Sequence, residues 1–119
     1  MNQQPQSATL FDRSAALDRI GGDEELLREI AGLFLSEYPQ LIQEIRVAIE
    51  SVNAQALERN AHSLKGAVAN FEARAAVNAA FRLESIGRSG NLDQAAVAFT
   101  DLELAFAELQ PVLLNLSTE

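Results

Sequence analysis

The chain carries one histidine in 119 residues, in the run Ala61-His62-Ser63-Leu64-Lys65-Gly66. Around it Leu57, Ala61, Leu64, Val68 and Phe71 recur at spacings of four, three, four and three, the mark of one apolar stripe on a helix. At about 100° per residue those five lie within roughly 40° of a common direction. His62 then points about 140° away from it, Lys65 about 80° and Gly66 about 180°. The imidazole therefore faces water or a shallow surface, with a cation one turn on. Gly66 removes the side chain at i+4, the position stacked beside the histidine. A glycine inside a helix costs about 1 kcal/mol relative to alanine, and this helix is otherwise rich in alanine. Room beside His62 is the reason the pattern suggests. A neutral imidazole nucleophile, a cation at i+3 and a gap at i+4 suit a bulky anionic group such as a phosphoryl. The nitrogen attacks, the lysine offsets negative charge and the glycine leaves space. Each residue also has a plainer reading: an edge histidine, a solvated lysine, a glycine at a helix crossing. The direction of Gly66, away from the apolar stripe, speaks against the last.

The elements that must hold these residues are helices. A short one is expected from about Leu10-Phe11 to Ile20, capped by Asp12 or Ser14 and closed by Gly21-Gly22. Asp23 caps the next, with Glu24 and Glu25 in the first turn where the helix dipole favours anions. Its apolar stripe runs through Leu26, Leu27, Ile30, Leu33 and Phe34 to Tyr38-Pro39, where the proline predicts a kink or break. The stripe resumes through Leu41, Ile42, Ile45, Ala48, Ile49 and Val52, to about Ser51. Asn53 caps the histidine helix, expected over 53–70, and the chain turns near Glu72. A helix over 74–88 has a core side of small residues, Ala76, Ala80 and Gly87 with Leu83, which allows close packing. Gly87 to Asn91 makes a turn. Asn91 or Asp93 starts the last helix, 92–116, whose seam runs Leu92, Ala95, Phe99, Leu102, Phe106, Leu109, Leu113 and Leu116. Pro111 should kink its last turns. No strand pattern and no solenoid repeat is present. The expected fold is all-α: an antiparallel four-helix bundle of helices at about 37–51, 53–70, 74–88 and 92–116, with one or two short N-terminal covering helices. Residues 1–9 read as a flexible tail and 10–119 as one domain.

Composition bounds the function. Hydrophobic residues make up 48%, enough for a core. With no cysteine there is neither a disulfide framework nor a thiolate site. No run of 18 apolar residues occurs, and the polar start lacks the pattern of a signal peptide. A cytoplasmic protein is expected. A net charge of −8 argues against nucleic acid and anionic membrane surfaces as partners. There is no P-loop, no G-x-G-x-x-G and no Glu-x-x-His pair, so kinase and di-iron readings lack their residues.

His62-Ser63-Leu64-Lys65-Gly66 resembles the H-x-x-K-G signature of histidine-containing phosphotransfer (HPt) domains, and the resemblance in helix count, length and histidine placement covers roughly Phe11 to Leu116. It implies a phosphorelay intermediate. His62 accepts a phosphoryl group from a receiver-domain aspartate and passes it to another, Lys65 stabilises phosphoryl charge and Gly66 gives steric access. Free histidine has a pKa of about 6.5, so a neutral nucleophile is available near neutral pH. Ala61, Lys65, Gly66 and Ala69 would let the receiver come close. In the family a Gln or Glu on the following helix can hold the histidine Nδ1, leaving Nε2 to attack. Glu84 matches that position, about 60° from the core direction of its helix. It also reads as an ordinary boundary glutamate with its head in water. Arg59, Arg82 and Arg88 read as partner contacts, phosphoryl contacts or solvated charges. The implied partners are response-regulator receiver domains and a hybrid sensor histidine kinase. No cofactor or metal is implied for this chain, the Mg²⁺ coming from the receiver. A monomer without autokinase activity is expected. The chain departs from the family pattern at Glu72, where a glycine is frequent. Two alternatives stay open: a helical module that binds a receiver or kinase without phosphotransfer, and the phospho-acceptor domain of a chemotaxis-type kinase.

Overall fold

The computed structural model describes residues 10–119, so the tail expected over 1–9 lies outside the described residues. Five helices follow: α1 (Arg13–Arg19), α2 (Glu24–Glu50), α3 (Ala54–Ala69), α4 (Arg74–Ser89) and α5 (Ala95–Ser117). Three of the side-chain caps fall where the sequence puts them. Asp12 accepts from Ala15 N–H at 3.1 Å, Asp23 from Leu26 N–H at 3.0 Å and Asn53 from Ala56 N–H at 3.0 Å. Each satisfies a donor that the first helical turn leaves free.

The four long helices pack as a ring in which α2 meets α3 and α5, and α4 meets α3 and α5. The connections 51–53, 70–73 and 90–94 are short, which makes successive helices antiparallel. The core is the predicted one. Leu57, Ala61, Leu64, Val68 and Phe71 are fully buried and share one core with the seam of α5, Leu102, Leu109, Leu113 and Leu116 among them. The short α1 covers the end where α3 turns into α4. Phe11 packs on Phe71 with ring centres 6.4 Å apart, and Arg19 pairs with Glu72 at 2.6 Å. Among the described residues no helix is long and apolar enough to cross a membrane.

Two boundaries differ from expectation. The bundle helix placed at about 37–51 is the second half of α2, which runs unbroken through Pro39 from Glu24 to Glu50. An interior proline costs about 3 kcal/mol. Here it is offset by burial on both sides, Leu27, Ala31 and Phe34 before it and Ile45 and Ala48 after it. An aromatic stack also brackets the site: Phe34 lies 5.2 Å from Tyr38, and Tyr38 lies 5.5 Å from Phe106. One short helix therefore remains among the described residues. The last helix begins at Ala95 rather than at 92, because Asn91 Oδ1 accepts from Asp93 N–H at 2.9 Å and closes a local turn that competes with helix.

The turn after α3 explains the departure at Glu72. Its φ is +51°, the left-handed region that favours glycine. The side chain offsets part of that strain through Arg19. The turn therefore keeps its shape without the glycine.

Candidate functional site

His62 projects from the outer side of α3 with two thirds of its side chain exposed (66%), one turn before Lys65. The apolar stripe of α3 fixes this direction by burying the opposite side. Gly66 is also exposed, and a Cβ built there meets nothing within 4 Å. The glycine is not required by packing; it leaves open space on the turn that follows His62. Ala61, expected at the approach surface, is instead fully buried in the core stripe and cannot face a partner.

The packing glycine is on the next helix. A Cβ at Gly87 would stand 2.6 Å from Glu58 N, 2.8 Å from Ala54 O and 2.9 Å from Glu58 Cα, all backbone atoms of the first turns of α3. Here α3 and α4 touch backbone to backbone. Glu84 lies one turn before that contact on α4, and the close approach delivers it beneath His62.

Glu84 is the one buried charged residue among those described, 3% exposed. Its Oε2 accepts from His62 Nδ1 at 2.9 Å and from Arg88 Nη2 at 3.0 Å. Lys65 Nζ stands 2.7 Å from Oε1. The head in water that the sequence left open is excluded: the carboxylate is roofed by three basic side chains. Burial pushes the Glu84 carboxyl up, but hydrogen bonding and charge from Lys65 and His62 together outweigh it and hold the group below its ordinary 4.5. The roof consists of side chains near the surface, so the desolvation is local and the cations prevail. A carboxylate at Nδ1 selects the Nδ1–H tautomer in the neutral ring and leaves the Nε2 lone pair facing outward.

Arg88, expected as a surface charge, ties the site together. It is exposed but donates to Glu58 on α3 at 3.0 Å as well as to Glu84. Arg82 stays outside, paired with Asp101 on α5. Arg59 lines an open pocket with His62, Glu58 and Arg88. Phe81 is the residue that sequence reasoning missed. It is half exposed, and Lys65 Nζ lies 4.9 Å from its ring centre. The available signal was its place three residues before Glu84, on the same side of α4.

Two substitutions test this arrangement. Glu84→Gln should cost about 1 kcal/mol near pH 5, discounting for the exposed partners. A carboxyl held low in the folded state supports folding above its ordinary value, and that support is lost as pH falls through the lower folded value. Urea denaturation of wild type and Glu84→Gln from about pH 5 to pH 2, where a free imidazole stays cationic, should show the gap closing. A gap constant over that range would contradict the pairing. Gly66→Ala should raise stability by about 1 kcal/mol, because the methyl enters open space and helix propensity improves. The same variant should slow any reaction at Nε2 about tenfold, roughly 1.4 kcal/mol. A more stable protein that reacts at the wild-type rate would remove the access role of Gly66.

The model of the Hpt domain matches residues 29–111, well over half of the chain. The fold is that of histidine-containing phosphotransfer protein B (HptB) from Pseudomonas aeruginosa PAO1, with a TM-score of 0.84 at 22% identity over 98% of this chain and 97% of that one. No curated protein sequence matches. The family match spans the whole of α3 and α4, the two helices that bring the imidazole and its buried carboxylate together, and the protein therefore belongs to the Hpt domain family of histidine phosphotransfer carriers in two-component phosphorelays.

Proposed function

We propose that the domain is a phosphorelay intermediate: His62 accepts a phosphoryl group from the phosphoaspartate of one receiver domain and yields it to the aspartate of another. The observation that carries this reading is the 2.9 Å contact between His62 Nδ1 and the buried Glu84 carboxylate on an otherwise exposed ring. It holds one nitrogen and presents the other. The Nε2 lone pair forms the bond to phosphorus while the donor's P–O bond breaks, its electron pair leaving on the aspartate carboxylate. The product ring bears a proton on Nδ1 and phosphorus on Nε2, and its positive charge is offset by Glu84. A cationic ring is a good leaving group, which suits onward transfer.

Lys65, one turn after His62, offsets phosphoryl charge, and Gly66 keeps the approach clear. Mg²⁺ belongs to the receiver, and this chain supplies no metal site to the step. The domain is a carrier, not a kinase. It acts in the cytoplasm as a monomer, in company with receiver domains and a hybrid sensor kinase.

The test is label transfer from a phosphorylated receiver domain with Mg²⁺. Acid-labile label should appear on the protein and then move to a second, unphosphorylated receiver. Label absent with every receiver tried, on a folded protein, would favour a binding module. Label gained only from a kinase catalytic domain with ATP would favour a kinase-linked acceptor domain.

A further inference from the structure

Three long basic side chains surround His62, and two are already committed. Lys65 Nζ sits 2.7 Å from the buried Glu84 carboxylate and over the Phe81 ring. Arg88 is held between Glu58 and Glu84, at 3.0 Å from each. Each can reach a phosphoryl group only with the donors its carboxylates leave free.

Arg59 is in a different position. It is exposed, lies three residues before His62 on α3, and lines the same open pocket of about 470 Å³. No carboxylate among the described residues lies within 4.0 Å of it. Both carboxylates that line this pocket, Glu58 and Glu84, are neutralised by others. Arg59 is thus the uncompensated positive charge of the pocket. Residues three apart share a helix face, and the Nδ1 contact with Glu84 turns Nε2 away from the carboxylate.

We propose that Arg59 is a catalytic residue of the transfer, contacting the phosphoryl oxygens as His62 Nε2 attacks. This rests on the reading of His62 as the acceptor. A guanidinium offers two parallel donors to two phosphoryl oxygens, a match an ammonium cannot make. Arg59 takes no proton. The Nε2–P bond forms, the donor's bond to phosphorus breaks, and the departing pair leaves with the donor's carboxylate or amine.

A phosphoryl group and an acidic receiver edge could both attract an arginine, and a small donor separates them. Phosphoramidate delivers a phosphoryl group and releases ammonia, with no docking surface. The full chain, Arg59→Gln and Arg59→Lys would each be labelled with phosphoramidate and, separately, with a phosphorylated receiver. Arg59→Gln should be labelled about tenfold more slowly by both donors, with unchanged Tm and a displaced ³¹P resonance of the phosphohistidine. Arg59→Lys should recover part of the rate. Arg59→Gln labelled by phosphoramidate at the wild-type rate overturns the proposal, and slowing confined to the receiver assigns Arg59 to docking instead. A wild type unlabelled at His62 by either donor overturns the acceptor reading and this inference with it.

Discussion

A His62→Gln protein should take no label from a phosphorylated receiver while melting at the wild-type temperature. The expected fall is at least about 10³-fold in rate, roughly 4 kcal/mol of barrier. Both halves of the result follow from geometry. The ring is mostly outside the core, so replacing it removes little packing. A glutamine amide can donate to Glu84 Oε2 where Nδ1–H does now, so the buried carboxylate keeps its roof. The amide has no basic nitrogen and cannot attack phosphorus. With one histidine in the chain, no second imidazole can substitute. Acid-labile label persisting on His62→Gln would place the acceptor elsewhere and sink the reading.

Gly87→Ala should destabilise the protein by about 2 kcal/mol or more, lowering Tm by roughly 5–10 °C. Helix propensity alone demands the opposite, a gain of about 1 kcal/mol. The deciding fact is that the new methyl would lie 2.6–2.9 Å from the backbone of α3, which cannot move aside as a side chain can. The helices must separate, and Glu84, one turn away, is drawn back from His62. Transfer should slow along with the loss of stability. Thermal melts of Gly66→Ala and Gly87→Ala side by side make the sharpest comparison: the same substitution on neighbouring helices, with opposite expected signs. A Gly87→Ala protein as stable as wild type would mean that the close crossing is not tight.

The stripe Leu57 to Phe71 was enough to place His62 outside and Gly66 in open space, because helical period converts spacing directly into direction. The caps Asp12, Asp23 and Asn53 were legible for a similar reason: they act on their own helix. What depended on two helices at once was not. Ala61 was set both in the core stripe and at the approach surface, and only burial decides for the core. Glu84 could be placed at a boundary, but its immersion comes from the three basic side chains above it, which arrive from α3 and α4 together. Gly87 was readable as small, whereas its contact with the backbone at Ala54 and Glu58 depends on how the two helices cross. Pro39 misled because a local rule met a tertiary surplus, with buried residues on both sides and aromatic stacking around it.

His62 lies near the midpoint of α3, about two turns from either end, and the helix beside it is locked backbone to backbone at Gly87. Fraying at helix ends is confined to the outer turns, while central segments of packed helices exchange their amide hydrogens only through large openings. The backbone that carries His62 and Glu84 therefore has no small local opening of its own. The two attachment points stay matched until α3 and α4 part, a separation that dismantles the core. The exposed ring turns about its own side-chain bonds, but the carboxylate it returns to stays in place for as long as the domain is folded.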